Sequence, residues 1–124
     1  MLTEEIENDL KRAKDALKSA ERNIEENDVY TAANRAFVAC ENSIYVLLKF
    51  RFGSSSISRQ RILTRLKDIN PNAKEIYNKS YDLRVQADYG RISQILPLNK
   101  DNLNEILARI KNLINEVEQE MKDK

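Results

Sequence analysis

Residues 29–52 read VYTAANRAFVACENSIYVLLKFRF, and this stretch decides the fold class. Wound as a helix, it places Val29, Ala33, Phe37, Cys40, Ile44, Val46, Leu47 and Phe50 on nearly every side, with Tyr30, Ala32, Ala36, Ala39, Tyr45, Leu48 and Phe52 filling the gaps. A helix that is apolar all round has to be surrounded, so this segment is expected at the centre of a bundle or in a dimer interface. At about 1.5 Å per residue it runs roughly 36 Å.

The segments on either side have a different pattern. Ile6, Leu10, Ala13, Leu17, Ala20 and Ile24 form one stripe, and Leu103, Ile106, Leu107, Ile110, Leu113, Ile114, Val117 and Met121 form another. Both stripes have helical spacing with charge opposite, which predicts two outer helices, each with one face on the core. A short helix is predicted over about 57–69, with Ile62, Leu63, Leu66 and Ile69 inward and Pro71 ending it. A fourth long helix follows over about 72–89 and stops at Gly90.

Boundary chemistry agrees with this order. Thr3 is placed to cap the first helix, with Glu4, Glu5 and Glu7 favourable to its dipole. Asn27 or Asp28 suits the start of the second, and Gly53 its left-handed exit. Gly53–Ser56 reads as a flexible loop, and Pro97 with Asn99–Asp101 marks the start of the last helix. There is no internal repeat and no dividing linker, so residues 1–124 are expected to form one domain. The predicted fold is all-α: an up-and-down bundle of four main helices with one short additional helix.

Composition narrows the function classes. Twenty-one basic residues against 20 acidic ones give a net charge of +1, which argues against a general polyanion binder. A single cysteine, Cys40, cannot form an internal disulfide, and without histidine there is no cysteine–histidine zinc set. No metal or cofactor is implied. The N-terminal stretch is too acidic for a signal peptide, and no run reaches the roughly 18 apolar residues of a membrane span. A soluble, cytoplasmic protein is the expectation.

Two segments carry a family resemblance. Tyr81-Asp-Leu-Arg84-Val-Gln-Ala-Asp-Tyr89-Gly90 resembles the catalytic signature of the HEPN family of small helical proteins, an Arg followed after four to six residues by a His. Arg84 is in place, and the position five residues on is Tyr89. Tyr30-Thr-Ala-Ala-Asn-Arg35-Ala-Phe-Val-Ala39 is similar to the family's second-helix pattern of a Tyr, small residues, an Arg, then aromatics and Ala. The resemblance implies a helical bundle, and an RNA-cleaving toxin or a relative of one. It also implies a homodimer with facing clefts and a small nucleotidyltransferase antitoxin as partner.

The residues around Arg84 allow two readings. The inward edge of its helix is expected to carry Ile76, Ser80, Leu83 and Ala87, with Tyr77, Tyr81, Arg84 and Asp88 one position further round. Arg84 then reads either as an ion pair with Asp88, stacked on Tyr81, or as a phosphate contact, since a guanidinium fork matches phosphate oxygens. On the central helix Arg35 shares a face with Asn42, and Asn34 with Glu41. These polar groups form either a satisfied network or, as the resemblance implies, part of the cleft into which Arg84 points. The candidate set is therefore Arg84, Tyr89 and Asp88 for catalysis, and Arg35, Glu41, Asn42 and Tyr81 for binding.

Charge is uneven along the chain. Lys49, Arg51, Arg59, Arg61, Arg65 and Lys67 give +6 over residues 49–67 with no acid among them. Nine acids against five basic residues leave −4 over the first 28. Such asymmetry steers RNA or an acidic partner to one face, unless the arginines only solvate a short helix. Beyond Phe50 and Phe52 no aromatic interleaves with these basic residues, so no stacking platform for single strands is predicted. Cys40, among Val38, Ala39 and Ile44, is expected to be an inert core residue.

The missing histidine bears directly on chemistry. As the resemblance implies, family ribonucleases cleave without metal, the His moving a proton and the Arg stabilising developing charge. An ordinary phenol titrates near 10, so only about one in a thousand is ionised at pH 7, a deficit of roughly 4 kcal/mol. The expected function is thus a non-catalytic HEPN-like module that binds RNA, a nucleotide or a partner protein. Two alternatives are an endoribonuclease that uses Arg84 with a non-His acid–base group, such as Glu41 or Asp88, and a structural adaptor that dimerises through its central helix.

Overall fold

The structure, a computed structural model, describes residues 2–54 and 58–123. It is all helical: α1 Leu2–Glu25, α2 Val29–Phe52, α3 Arg59–Ile69, α4 Pro71–Tyr89 and α5 Lys100–Lys122. Four long helices form the bundle and α3 is the short insert, as the periodicities predict.

Helix α2 is the hub. It packs against α1, α4 and α5, whereas α3 touches α4 alone. Its buried residues include Ala32, Ala36, Phe37, Cys40, Ile44, Val46, Leu47 and Leu48, and each large apolar side chain among them contributes about 1.5–3 kcal/mol by leaving water. The chain's own helices cover this surface, leaving mainly Tyr30 (63% exposed) and Phe52 (46%) outside. The all-round hydrophobicity of α2 is therefore met within one chain and gives no reason for a second copy.

Ion pairs show the direction of the helices. Lys49 Nζ lies 2.7 Å from Asp9 Oδ2, and Lys14 Nζ lies 2.6 Å from Glu118 Oε2. The first tie joins the end of α2 to the start of α1, so the two run antiparallel across the short 26–28 turn. The second, with Lys100 bonded to Asn27, sets α5 antiparallel to α1. Asp9 is 4% exposed, and Arg12 Nη1 stands 3.5 Å from its other oxygen, so this buried carboxylate is fully charge-compensated.

Of the caps expected from sequence, Asp28 and Gly53 are in place and Thr3 is not. Asp28 caps α2, its Oδ1 accepting from Thr31 N at 3.1 Å and its Oδ2 from the Thr31 hydroxyl at 2.6 Å. The Thr31 hydroxyl and amide hold the Asp28 carboxyl below the usual carboxylate range. Gly53 closes α2 at φ +81, where a side chain would be strained. Asn70 serves both α3 and α4: its amide bonds Leu66 O, and its Oδ1 accepts from Ala73 N. Thr3 is not a cap, because α1 already includes Leu2 and Thr3 sits within the first turn. Ser58, beside the expected start, opens α3 by accepting from Arg61 N. The expected start at 57 and the Ser55–Ser56 part of the expected loop lie outside the described residues.

Small polar residues in the core are satisfied locally. The Ser43 hydroxyl donates to Ala39 O at 2.6 Å and the Ser80 hydroxyl to Tyr77 O at 3.1 Å. Cys40 is fully buried, and burial pushes its thiol up to about 12, which is the inert core role expected of it. Among the described residues, no helix is long and apolar enough to cross a membrane, and no group of acidic or cysteine side chains is arranged to hold a metal ion.

Candidate functional site

Helix α4 carries the candidate residues on two of its sides. Pro71 at its start needs no amide partner, and Gly90 ends it at φ +65 with its N–H on Gln86 O at 2.9 Å. Its buried face is Ala73, Ile76, Tyr77, Ser80, Leu83 and Gln86. Ala87, expected on that face, is only half-buried, and Gln86 takes the inner position. The reason is polar: Gln86 has backbone partners there that alanine could not use.

Arg84 lies on the side of α4 that faces α2. Its Nε is 3.2 Å from Asp88 Oδ2, and its guanidinium carbon is 5.3 Å from the centre of the buried Phe37 ring. The expected ion pair with Asp88 is present, but the expected stack on Tyr81 is not. Tyr81 meets Phe37 edge-on at 5.6 Å and is covered by Arg59, whose guanidinium carbon is 4.1 Å from its centre. Phe37 also contacts Tyr77 at 5.5 Å. Arg59, Tyr81, Phe37 and Arg84 thus form a continuous stack across α3, α4 and α2, two adjoining rings with a guanidinium at each end.

The polar residues of α2 divide between two faces. Arg35 and Asn42 stand at seven-residue steps from Lys49, which reaches Asp9 and Glu5 of α1. Allowing the roughly 20° drift per seven residues, this stripe runs along the α1 side and away from Arg84. Asn42 is buried and donates to Val38 O at 2.9 Å, a satisfied local bond. Glu41 faces the other way. Burial pushes the Tyr45 and Tyr77 hydroxyls up, Tyr77 to about 12, and the Glu41 carboxylate adds to both. The structure therefore brings Tyr81, Arg84 and Asp88 together around Phe37, with Glu41 on the adjoining face of α2. It does not bring Arg35 or Asn42 to them.

Tyr89 belongs to a hollow of about 490 Å³ between α3 and α4. Its walls are Arg59, Asn78, Tyr81, Asp82, Val85, Tyr89 and Arg91. Arg84 is not among them. Tyr89 is 72% exposed. Arg59 Nη2 donates to Asn78 Oδ1 at 2.9 Å, which with the Tyr81 stack fixes the guanidinium plane. Sequence reasoning missed Arg59, Asn78 and Arg91. The signal available was the +6 run, which holds Arg59. Its aromatic neighbours, Tyr81 and Tyr77, come from α4 and not from the run itself, where Phe50 and Phe52 are the aromatics, so the sequence of the run could not show them. Lys49 and Arg51 leave that run, Lys49 for Asp9 and Arg51 for Glu120, to which Arg51 Nε donates at 2.9 Å.

The connection between α4 and α5 is held by one side chain. Gln86 Nε2 donates to Leu96 O at 2.7 Å, and its Oε1 accepts from Leu98 N at 3.0 Å. The same amide lies 3.2 Å from Asp82 Oδ2. Outside this latch, Ile92 (91% exposed) and Ile95 (97%) face solvent beside Tyr89 in sequence.

Compared with known protein families, the chain matches the model of the HEPN domain over residues 6–120, nearly its whole length. No curated protein matches it.

Proposed function

This chain belongs to the HEPN domain family, and from that premise we propose that it acts by binding rather than cleaving, as a non-catalytic module that takes RNA or a nucleotide. One observation carries the reading. Arg84, which the resemblance matches to the family's Arg, is committed to Asp88 and the Phe37 ring, while Tyr89, five residues on, is 72% exposed and lines the α3–α4 hollow, whose walls do not include Arg84. Among the described residues, the titratable side chain paired with Arg84 is Asp88, which is engaged in that ion pair and not free for the proton transfer to or from a ribose hydroxyl that cleavage requires. Arginines over aromatic rings, by contrast, suit phosphate and base contacts.

The test is a titration of purified protein against fluorescent single-stranded RNA at several salt concentrations, read by anisotropy. Saturable binding that weakens with salt is expected, because phosphate contacts release counterions. A flat titration at low salt would contradict the reading.

A second reading, association with another protein, is favoured by Ile92 and Ile95, almost wholly exposed on one loop. Large apolar residues left bare together mark interaction surfaces. The partners this reading admits are a second copy of the chain and a small nucleotidyltransferase antitoxin. Sedimentation of the wild type and of Ile92→Ser/Ile95→Ser tests the first. A monomer in both cases would remove the homodimer, and co-expression with a neighbouring nucleotidyltransferase gene would then test the second.

A further inference from the structure

We propose that the α3–α4 cleft is a nucleotide subsite, in which Arg59 and Arg91 take a phosphate and Tyr89 takes an unpaired base. The proposal rests on the reading of the chain as an RNA- or nucleotide-binding module and assigns the contact to a hollow whose walls do not include Arg84.

The first argument is charge. Arg12, Arg51, Arg84 and Arg109 are each paired with a carboxylate. Among the described residues, Arg22, Arg35, Arg59, Arg61, Arg65 and Arg91 show no such pair, and of these Arg59 and Arg91 line the same hollow, with Asp82 as its one acid. The cleft wall therefore carries a net +1, from two cations and one anion. Arg59 is also the first residue of α3, an 11-residue helix, so the positive end of that helix dipole adds to it.

The second argument is preorganisation. Arg59 spends one N–H on Asn78 and rests its face on Tyr81, which leaves the other donors of a fixed planar fork for an anion. Arg91 follows Gly90, whose left-handed turn redirects the chain at the end of α4. The Gln86 latch to Leu96 and Leu98 then holds the loop that carries it.

The third is the ring. Tyr89 exposes 72% of its surface at the cleft margin, an unusual cost for an aromatic with no partner and suited to stacking on a base. Asp82 accepts from Gln86 through one oxygen at 3.2 Å. Its second oxygen suits a base amine or a ribose hydroxyl. The volume of about 490 Å³ falls within the roughly 300–1,000 Å³ of small-molecule sites. A base reaches Tyr89 only when unstacked, so single-stranded RNA or a free nucleotide fits and a duplex does not.

The experiment is anisotropy of a fluorescent hexa-adenylate RNA, with adenosine monophosphate as competitor, on the full chain and four variants. Arg91→Ala and Tyr89→Ala alter exposed side chains and are expected to fold. Each should weaken binding about tenfold, within the range for losing one stacked base or one phosphate contact. Arg91→Ala should also flatten the salt dependence by about one ion. Arg22→Ala, an exposed charge on α1, should change affinity less than twofold. Displacement by adenosine monophosphate would identify a single nucleotide as sufficient, and its failure would identify the strand as the ligand. Either result leaves the subsite standing. Wild-type affinity retained in Arg91→Ala and Tyr89→Ala but lost in Arg84→Ala would overturn the subsite and keep the binding function. No RNA binding by the wild type would overturn both.

Discussion

Gln86→Ala is the substitution whose consequence follows most directly from the geometry. Gln86 is 4% exposed and gives the 91–99 connection two backbone hydrogen bonds, at 2.7 Å to Leu96 O and 3.0 Å from Leu98 N. Alanine leaves both backbone groups without a partner in the fold, at about 1–3 kcal/mol each when water cannot replace the bond. Leu96 and Leu98 are only half-buried, so water recovers part of this. The loss of one buried methylene adds about 0.8 kcal/mol at most. The expected total is about 2–3 kcal/mol, measured by urea unfolding. Hydrogen exchange should show the loss locally: the Leu98 amide should exchange much faster, with the α1–α2 core amides falling only by the global amount. Gln86→Glu separates the two bonds. Its carboxylate can still accept from Leu98 N but meets Leu96 O and Asp82 with like polarity, so its folded pKa should rise above that of an ordinary glutamate. The sign follows: the proton binds the folded state more tightly, so this variant should gain stability relative to wild type as pH falls through that raised value. A change below about 0.5 kcal/mol in Gln86→Ala, with the Leu98 amide still protected, would refute the latch.

Two further outcomes test the fold's electrostatics. Lys49→Met should destabilise the chain by about 2–4 kcal/mol, because it strands the buried Asp9 with only Arg12 at 3.5 Å. Asp9→Leu with Lys49→Met should recover most of that in the same urea assay, and equal effects in single and double variants would contradict a buried pair. Glu75 is held down to about 2 by its hydrogen bond from Arg109, then by Lys79. A depressed carboxylate stabilises above its unfolded value, here 4.5, and loses that contribution as pH falls towards 2. Arg109→Ala should therefore flatten the stability–pH curve between 4.5 and 2, and an unchanged slope there would count against the pairing.

What was legible in the sequence was set by periodicity and short-range chemistry. The single stripes of α1 and α5, the all-round apolar α2, and the caps at Asp28, Gly53, Asn99 and Gly90 depend on residues close together in the chain. The Arg84–Asp88 pair was legible for the same reason, being one helical turn apart. What escaped were contacts between helices. Nothing local to Arg59 shows that Tyr81 lies beneath it, and nothing local to Lys49 shows a buried Asp9 some 40 residues earlier. Nothing in the sequence singles out Gln86, because its partners, Leu96 and Leu98, are backbone groups in a loop. The polar stripe of Arg35 and Asn42 was visible, but which neighbour it faced was not. The Lys49–Asp9 pair decides that by fixing the side on which α1 lies.

The central claim is that this HEPN-family chain binds RNA without cutting it. The measurement that tests it most directly is incubation of end-labelled single-stranded RNA with excess purified protein in EDTA at neutral pH, followed in parallel on native and denaturing gels, with Arg84→Ala beside it. The account predicts RNA shifted on the native gel and intact on the denaturing one. Cleavage by the wild type that disappears in Arg84→Ala would contradict it, and would mean that Arg84 works with an acid–base group other than histidine.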